Sequence, residues 1–519
     1  MAQTITLSAG QISDLVEVGP GTRITVTGSA YVEYAQGNLQ DAKNGVLAWQ
    51  KWPKGAVNGV CDTIRRMTIR ATATGSASVL IEEGFRDADT DSGYWQEQTA
   101  QLATDAAGNA SGYFINGRYH HRQRKQLSNL MSKSFCGRYA NVASGADHTT
   151  HVQTPVAGHF DAVRLLIPNG VASTITGVKA SVAVTNAAGA NNSSGTINPT
   201  GAWKDLLVSG ASSWSLPAGT NADDCSWTAT DWFYVNSLDR ADSGTLPILN
   251  YRIEVPAANA NITLTNYSVT DWETEGGFNG GMFYRPRTQA VLGCTTKGNF
   301  TSTTTAGQHY PVIIQYLSRV AGVSVYVCAD SIGEGADATY RNSGYPFFAG
   351  LAASTTTRPV EICNQGITSK TAAVYLARMK KVMAAGGAAD IVLYHSFSPN
   401  NISSTIDAGE INTLKSTLVD AIQYINSVSA IPVVVSAAPA NYAAAAWGAT
   451  DSLRTDFNAE IASRGLSFFD LSALLSGSVE AHGQTEYLPA YYFDGIHPNL
   501  AGRQAAGAAL SIAVLQSIF

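Results

Sequence analysis

The alternation of apolar and polar residues predicts mainly strands in the first three fifths of the chain. From Thr4 to about Glu83, short runs such as TITL, RITVTG and MTIRAT carry β-branched residues at every second position, with turn residues between them. The same pattern returns between about Arg138 and Gly293, in runs such as FDAVRLLIP and ILNYRIEVP. We therefore expect a small N-terminal β domain followed by a β-sandwich of jelly-roll type.

Toward the C-terminus the pattern alternates between strands and helices. One helix is expected over residues 410–428, where apolar residues recur at spacings of three and four. Another is expected to begin near Thr368 or Ser369 and to end at Gly386 and Gly387. The predicted strands are Val323–Cys328, Val360–Asn364, Ile391–His395, Ile431–Ser436 and Leu466–Asp470. This alternation predicts a parallel sheet covered by helices on both faces.

These patterns divide the 519 residues into five segments. They are a small β domain over 1–95, a connector over 96–137, a β-sandwich over 138–293, a linker over 294–321 and an α/β domain over 322–519. A chain of this length needs more than one hydrophobic core. The expected fold class is α/β, with a C-terminal domain of three αβα layers and two β domains before it.

Composition and charge exclude several classes of partner. Apolar residues make up 45% and charged residues 14% of the chain, which is typical of a folded globular protein. The net charge of −6 leaves no basic field for nucleic acid. No run approaches the roughly 20 apolar residues that cross a bilayer, so we expect no membrane partner and interpret Ala505–Phe519 as a packed helix. The first residues, MAQTITLSAGQISDL, do not predict a signal peptide.

Cysteines and histidines show no pattern typical of a metal site. The His120–His121 pair and the His148 and His151 pair lack other ligands at metal-binding spacing, and we expect them at the surface. The cysteines are scattered without C-x-x-C spacing and are expected to be reduced, mostly buried thiols. They are Cys61, Cys136, Cys225, Cys294, Cys328 and Cys363. We expect neither a metal nor a cofactor.

Tryptophan is concentrated in the predicted β-sandwich, which holds five of the nine. These are Trp203, Trp214, Trp227, Trp232 and Trp272. Exposed indole rings stack on sugars, so a carbohydrate-binding face is one interpretation. Packing in the core and in turns is the simpler one, because tryptophan buries a large area.

Polar residues follow the predicted strands at their carboxyl ends, where parallel sheets place functional groups. Asp330 and Ser331 follow the first strand, and the run YFDGIHPN contains Asp494 and His497, three residues apart. A serine hydroxyl needs an adjacent base to take its proton, and a carboxylate orients that base. We therefore predict Ser331 as nucleophile, His497 as general base and Asp494 as its orienting group.

These motifs resemble the SGNH, or GDSL-type, hydrolases. The ADS tripeptide that ends at Ser331 is similar to the family's Gly-Asp-Ser block, and Asp494 to Pro498 matches Asp-x-x-His-Pro in full. The run SFSPNN matches the family's Gly-x-Asn-Asp block only in part. The resemblance covers residues 322–519 and implies a three-layer αβα fold and ester hydrolysis. The chain has no strict G-x-S-x-G, which disfavours an α/β-hydrolase.

The resemblance also implies an oxyanion hole. Its donors would be the backbone N–H of Ser331, the backbone N–H of either Ser369 or Gly366, and the side-chain amide of Asn400. Ser369 stands where the family has glycine, and Gly366 stays open as the alternative. Such donors make one of the largest contributions to acyl-transfer rates. The residues that bind the rest of the substrate are not assigned.

The sequence therefore predicts a serine esterase that removes acetyl or other short acyl groups from a cell-surface polysaccharide. A β-sandwich beside the esterase would hold a polymer, whereas a long-chain lipid would need an apolar cleft or lid that no segment offers. The alternatives are a bacterial carbohydrate acetylesterase, secreted and unrelated to a virion, and a non-catalytic glycan-binding adhesin.

A second, looser resemblance concerns the setting. The β-rich N-terminus and a composition rich in glycine, alanine, serine and threonine resemble those of bacteriophage tail-fibre or tailspike proteins. That resemblance implies a place in the virion, attachment of the N-terminal domain to other tail proteins, and a homotrimer as an option.

Overall fold

The structure is a computed structural model, and it describes most of the chain. The described residues are 2–18, 22–36, 50–51, 60–61, 67–82, 112–115, 118–121, 128–135, 137–185, 203–234, 246–266, 285–297, 308–335, 344–355, 357–402, 406–440, 450–464, 466–479, 485–511 and 515. The chain divides into two compact units, residues 1–111 and 112–519. Each unit has its own core.

The first unit contains an antiparallel sheet with the order β1-β6-β3-β4, in which β2 also pairs with β6 and β5 with β3. The strands are β1 Ala2–Leu7, β2 Val16–Val18, β3 Thr22–Gln36, β4 Gln50–Lys51, β5 Val60–Cys61 and β6 Met67–Glu82. Along β6 the residues Ile69, Ala71 and Ala73 are buried at every second position, as the period of a strand requires. The predicted border of this domain at residue 95 stays a prediction.

The second unit contains the remaining strands and all of the described helices. Its strands are β7 Gly112–Ile115, β8 Arg118–His121, β9 Ser128–Lys133, β10 Tyr139–Ala143, β11 His148–Pro155, β12 Phe160–Asn169, β13 Ile175–Thr185, β14 Lys204–Leu206, β15 Trp214–Leu216, β16 Ser226–Ala229, β17 Phe233–Tyr234, β18 Ile248–Val255, β19 Asn261–Thr265, β20 Arg285–Gln289, β21 Ile313–Cys328, β22 Val360–Asn364, β23 Ile391–His395, β24 Ile431–Val435, β25 Phe468–Phe469, β26 Ser476–Val479 and β27 Thr485–Tyr487. Its helices are α1 Gly293–Thr296, α2 Ser331–Glu334, α3 Tyr345–Ala353, α4 Ala372–Ala384, α5 Ala408–Ser427, α6 Asp451–Ser463, α7 Leu471–Leu475 and α8 Leu500–Leu510, with a 3-10 turn at Pro399–Asn401.

Strand β21 is the centre of a nine-stranded mixed sheet. Its first half pairs antiparallel with β12 and β9, and its second half, from Val323, pairs parallel with β22 and β23. Strands β24 and β25 continue the parallel part. The predicted border between a linker over 294–321 and a domain over 322–519 therefore falls inside one continuous strand.

The parallel part of this sheet is covered by helices on both faces, as predicted. On one face Tyr326 and Val392 pack in a core with residues of α4, α5 and α6, including Leu414. On the other face Val325 and Val327 pack with residues of α3, α7 and α8. Alternate strand residues point to opposite faces, so the apolar run VSVYVC serves both cores.

A third core lies between the antiparallel part of the nine-stranded sheet and a second sheet. The second sheet has the order β14-β13-β18-β11-β20. Val163 from β12 and Ile314 from β21 share this core with Val152 from β11 and Tyr251 from β18. The β-sandwich of jelly-roll type stays a prediction.

The tryptophans of this region divide between core and partly buried positions. Trp214 is buried, and Trp227 packs against the core that the two sheets share. Trp203 lies with its ring 4.0 Å from the guanidinium carbon of Arg252, and Trp232 lies 4.5 Å from that of Arg164. Trp272 lies outside the described residues. Two of the rings therefore follow the packing interpretation, and whether any other binds glycan stays a prediction.

The prediction that His148 and His151 lie at the surface was wrong for His151. His151 is fully buried in β11 and contacts Asn250 Oδ1 through Nε2 at 3.1 Å. His148 is half-buried, and burial lowers its pKa to about 4. His151 is buried because both faces of β11 are covered: its residues from Thr149 to Pro155 are all buried. The side chains of His120 and His121 lie outside the described residues.

The predicted start of α4 was also wrong. The helix begins at Ala372, after an extended Thr371, and not at Thr368 or Ser369. Thr368 is held by a hydrogen bond to another segment, and Ser369 has a left-handed backbone with φ of 61°. The other end is as expected: α4 ends at Ala384, ahead of the two glycines.

The cysteines whose side chains are described are free and buried. They are Cys225, Cys294, Cys328 and Cys363. Burial raises the pKa of Cys225 to about 11 and that of Cys363 to about 12, so both stay protonated thiols near neutral pH. Separately, none of the described helices is long and apolar enough to cross a bilayer.

A buried ion pair ties β9 to β22. Lys133 Nζ lies 3.6 Å from Glu361 Oε2, with side chains only 1% and 3% exposed. Lys133 also donates to the carbonyl of Pro155 at 2.7 Å, and Glu361 accepts from the Ala157 N–H at 2.7 Å and the Tyr316 hydroxyl at 2.8 Å. The pair therefore joins four segments of the second unit.

We expect Lys133→Met to lower the unfolding free energy by about 3–5 kcal/mol, because Glu361 would keep a buried charge without its cation. Urea denaturation followed by tryptophan fluorescence measures the change. The control is Lys297→Met, since Lys297 pairs with Asp205 where both side chains are 40% exposed. Loss of that surface pair should cost no more than about 1 kcal/mol. Equal effects of the two variants would contradict the importance of the buried pair.

Candidate active site

The predicted nucleophile lies where the central strand turns into a short helix. Strand β21 ends at Cys328, and the Asp330 side chain caps α2 by accepting from the Ile332 N–H at 3.0 Å. Ser331 is the first residue of that helix and is 4% exposed. Its own N–H has no partner among the described residues, as expected in a first helical turn.

The structure brings Ser331, His497 and Asp494 together. His497 Nε2 lies 2.8 Å from Ser331 Oγ, and His497 Nδ1 lies 2.7 Å from Asp494 Oδ2. Both distances are within hydrogen-bonding range. The three side chains form one chain of hydrogen bonds, although 166 residues separate the serine from the histidine. Their catalytic roles stay predictions.

A tight turn gives Asp494 and His497 a common direction. Asp494 Oδ1 accepts from the N–H groups of Ile496 at 3.1 Å and His497 at 2.9 Å. Gly495 between them has φ of 89°, a left-handed conformation that glycine adopts without steric cost. One carboxylate therefore holds both the backbone of the turn and the imidazole.

The electrostatics of the turn favour an ionised Asp494. Partial burial alone would raise the pKa of its carboxyl, but the hydrogen bonds from the His497 side chain and backbone outweigh burial and bring the pKa below its ordinary value. The carboxylate is therefore charged throughout the pH range in which an imidazole titrates. A charged partner stabilises the imidazolium that forms when the histidine accepts a proton.

Contacts to neighbouring elements hold this turn in place. Tyr487, in β27, donates from its hydroxyl to the Ile496 carbonyl at 2.9 Å. Asn499 caps α8 by accepting from the Gly502 N–H at 3.0 Å. From α8, Arg503 donates to the carbonyl of Gly335 at 3.1 Å, at the end of the nucleophile helix. The two halves of the site are thus joined directly.

The two candidates for an oxyanion donor in the loop after β22 differ in what they already bind. The Gly366 N–H donates to the Asn364 side-chain oxygen at 2.9 Å, so it is engaged. The Ser369 N–H has no partner among the described residues, and Ser369 is exposed. Its left-handed φ of 61° is unusual for serine and natural for glycine. These contacts favour Ser369 over Gly366, and the role itself stays a prediction.

Asn400 lies in the 3-10 turn after β23 and is exposed. Its Nδ2 donates to Ser398 Oγ at 3.0 Å and to the Lys370 carbonyl at 3.3 Å, next to Ser369. Its neighbour Asn401 has a different task, because its side-chain oxygen accepts from the Ala372 N–H at 2.9 Å and caps α4. The structure therefore brings Asn400 to the Ser369 loop, with its amide bound to protein acceptors.

The residues of the site that sequence reasoning missed lie behind the nucleophile. Asp330 is fully buried, and its Oδ1 lies 3.6 Å from His395 Nδ1, whose other ring nitrogen lies 2.7 Å from the Tyr345 hydroxyl. His395 is the last residue of a predicted strand, which was a usable signal. Tyr345 had none, because only the tertiary fold brings α3 to this place.

A second missed contact lies between α2 and the loop after β22. The Asn364 side-chain amide donates to the carbonyls of Gly333 at 3.2 Å and Glu334 at 3.3 Å. The glutamate itself stands in the run SIGEG, and that placement between two glycines was the only signal in the sequence. These contacts fix the loop relative to the serine.

No metal centre is found in the part of the chain that the structure describes, where no three side chains of the ligating types are grouped to hold an ion. The absence of a cofactor remains an expectation from the sequence.

Comparison with known proteins gives similarity in structure alone. No protein-family model and no curated protein matches the chain. A GDSL-like lipase from Bacteroides thetaiotaomicron is 16% identical with a TM-score of 0.28, covering 37% of this chain and 87% of its own. A catalytic mutant of the acetylxylan esterase Axe2 from Geobacillus stearothermophilus is 18% identical with a TM-score of 0.28. The similarity covers 38% of this chain and 95% of the esterase. The protein YxiM from Bacillus subtilis is 12% identical with a TM-score of 0.31, covering 73% and 88%.

TM-scores of this size support no argument about the chemistry of this chain. These neighbours are described as a lipase, an esterase and a protein without a stated activity. They lend no support to the resemblance to phage tail proteins. The case for a function therefore depends on the geometry of the site itself.

We expect Asp494→Asn to lower kcat for ester hydrolysis by about 10²–10⁴-fold, because an amide neither stabilises the imidazolium nor selects its tautomer. Steady-state kinetics with p-nitrophenyl acetate measures the loss. Asp420→Asn is the control, since Asp420 pairs with Lys380 on exposed helix surfaces. An Asp494→Asn variant with wild-type kcat would show that the carboxylate is dispensable.

We expect Ser369→Gly to keep kcat within about threefold, because the backbone N–H is unchanged, and to stabilise the fold by about 0.5–1 kcal/mol. The gain comes from relief of the left-handed backbone. Ser429→Gly is the matched control, since Ser429 has φ of 59° at the end of α5. Both variants should gain stability in thermal denaturation. A tenfold loss of kcat in Ser369→Gly alone would assign a role to the hydroxyl.

Proposed function

We propose that the chain is a serine esterase that removes acetyl or other short acyl groups from a carbohydrate. One observation carries the proposal: the unbroken hydrogen-bond chain from Ser331 Oγ to His497 to Asp494, at 2.8 Å and 2.7 Å. A nucleophile, a base and an orienting carboxylate in contact are the components of acyl transfer through a covalent intermediate.

In the first half of the reaction, Ser331 Oγ attacks the ester carbonyl carbon while His497 Nε2 accepts the hydroxyl proton. The negative charge that develops on the carbonyl oxygen is stabilised by the N–H groups of Ser331 and Ser369. The Asn400 amide adds a third donor when it turns away from its acceptors on Ser398 and Lys370. Collapse of the tetrahedral intermediate breaks the bond to the alcohol oxygen. His497 returns the proton to that oxygen, and the alcohol leaves an acyl group on Ser331.

In the second half, water takes the place of the alcohol. His497 accepts a proton from the water as its oxygen attacks the acyl carbonyl, and the same donors stabilise the second tetrahedral intermediate. Collapse returns the proton to Ser331 Oγ and releases the carboxylic acid. The enzyme is then restored, and the net reaction is ester plus water to acid plus alcohol.

The preference for a carbohydrate ester is supported by the surroundings of the turn. Tyr492 and Phe493 directly precede Asp494 and are 37% and 47% exposed, although large apolar side chains are usually buried. Exposed aromatic rings in the segment that leads into the turn of Asp494 and His497 would offer a sugar a surface for stacking.

The setting in a phage tail is a separate proposal and is independent of the chemistry. The N-terminal unit is a β-sheet that would suit attachment to other tail proteins, and the glycan would then be the host's surface polysaccharide. A secreted bacterial esterase would use the same site. Co-purification of the chain with virions would support the phage setting, and activity in culture medium would support the bacterial one.

We expect Ser331→Ala to lower the hydrolysis rate by about 10³-fold or more, because the nucleophile is lost while binding groups remain. The assay measures acetate released from acetylated xylan and from p-nitrophenyl acetate. Ser416→Ala, an exposed serine on α5, is the control and should keep wild-type activity. A fluorophosphonate should label the wild type and the control at Ser331.

Three outcomes would contradict the proposal in different ways. Labelling at another residue would move the nucleophile elsewhere. Undiminished hydrolysis by Ser331→Ala would exclude the covalent mechanism. A wild type that binds the polysaccharide and releases no acid would favour the non-catalytic adhesin.

A further inference from the structure

One buried carboxylate beside the nucleophile has no place in the mechanism above. Glu334 is the last residue of α2, three positions after Ser331, and is 2% exposed. Its Oε2 accepts from the Thr368 N–H at 2.7 Å and from the Thr368 hydroxyl. A buried carboxylate is costly unless it is well hydrogen-bonded. Its retention beside the catalytic serine calls for an explanation.

The partner of this carboxylate adjoins the candidate oxyanion donor. Thr368 directly precedes Ser369, whose backbone is in the left-handed region. The bond to the Thr368 N–H fixes the Ile367–Thr368 peptide plane, and the bond to its hydroxyl fixes the Thr368 side chain. Only the Thr368 ψ torsion then lies between these contacts and the Ser369 N–H, so the nucleophile helix restricts the directions that this N–H can take.

The backbone of α2 also contacts the loop after β22, and the two segments are closely packed. The Asn364 amide binds the carbonyls of Gly333 and Glu334, and a Cβ on Gly366 would come within 2.6 Å of the Glu334 nitrogen. The Ile367 N–H donates to the Ala329 carbonyl at 2.9 Å. These contacts locate the loop up to Ile367, and the Glu334 side chain extends the attachment to its exposed end.

Burial and the groups around Glu334 have opposite effects on the charge of its carboxyl. Burial raises the pKa of its carboxyl to about 7, while the Thr368 hydrogen bonds and the cations of Arg138 and Arg378 oppose that rise. Arg138 lies just before β10 and Arg378 lies in α4. The carboxylate is therefore ionised above about pH 7 and accepts both Thr368 bonds in that form.

We propose that Glu334 is a positioning residue that, through Thr368, holds the Ser369 N–H in place for the oxyanion. The proposal rests on the proposed esterase function and adds a residue to it. Glu334 touches neither substrate nor the reacting atoms, and it acts only through the loop. Its removal should therefore affect the transition state more than the bound substrate.

The test compares Glu334→Gln with the wild type in hydrolysis of p-nitrophenyl acetate. At pH 8 kcat should fall by about 10- to 100-fold and KM should change by less than about threefold, since a displaced donor weakens transition-state binding alone. Protonated wild-type Glu334 resembles the amide, so the ratio of wild-type to variant kcat should approach one as the pH falls from 8 to 5.

Stability separates positioning from a purely structural role. A carboxyl whose folded pKa is raised contributes stability that is present below its unfolded pKa, near 4.5, and is lost as the pH rises through about 7. A neutral amide does not lose that contribution. The thermal midpoint of Glu334→Gln at pH 8 should therefore be no lower than that of the wild type, although kcat is lower.

A variant of Thr368, alone and combined with Glu334→Gln, tests the same contact, and a surface variant serves as the control. Thr368→Val removes the hydroxyl donor and should lower kcat in the same direction, and combining it with Glu334→Gln should add little, because both act on one contact. Glu460→Gln, an exposed ion-pair residue on α6, is the control and should leave kcat unchanged.

The role of Glu334 would be overturned by a Glu334→Gln variant with kcat within twofold of the wild type at pH 8. A kcat ratio that does not depend on pH would also overturn it, as would a fall in thermal midpoint that accounts for the lost activity. If the wild type hydrolyses no ester, this role and the proposed function fail together. An active wild type with an unaffected variant refutes the role of Glu334 alone.

Discussion

The hydrogen bond between Ser331 Oγ and His497 Nε2 is the contact on which the rest of the site depends. It joins the residues after β21 to the turn of Asp494 and His497, and neither segment fixes the distance between the two atoms by itself. Arg503 bridges from α8 to the carbonyl of Gly335 at 3.1 Å, and α8 packs so closely on α3 that a Cβ on Gly507 would come within 2.5 Å of Phe348. Helix packing therefore sets a distance that the proposed acyl transfer would need to within a fraction of an ångström.

Strand β21 makes the nucleophile part of a larger framework than its own α/β layers. Its first half lies against β12 and β9, and its second half carries the chain to Ser331. Side chains cross this region as well: Arg378 of α4 donates to the carbonyls of Gly137 and Ala222 and stacks on Tyr139. The second unit thus behaves as one body in which β-sheet and α/β parts share their strands.

Sequence patterns located the parallel strands well, because each is a short apolar run between turns. The predicted Val360–Asn364 and Ile391–His395 match the observed strands in both bounds. Local patterns did not reveal that β21 begins at Ile313, since its first half pairs with distant strands. The sequence predicted that Ser331 and His497 lie together, because both stand in polar motifs expected at the carboxyl ends of parallel strands. Glu334 and Tyr345 contact partners that only the tertiary fold brings near. The burial of His151 was missed because it too depends on contacts with residues far away in the sequence.

The run ADSIGEG shows how strongly the fold constrains a short sequence at the nucleophile. Asp330 caps the helix that Ser331 opens, and a Cβ on Gly333 would collide with the Ala329 side chain and lie 3.1 Å from His395 Nε2. Gly335 has φ of 88° and ends the helix after a single turn. A bulkier residue at 333 would clash with the Ala329 side chain and crowd His395, which lies behind Asp330. The glycines around the glutamate are therefore a geometric consequence of placing a serine, its cap and a buried carboxylate within one helical turn.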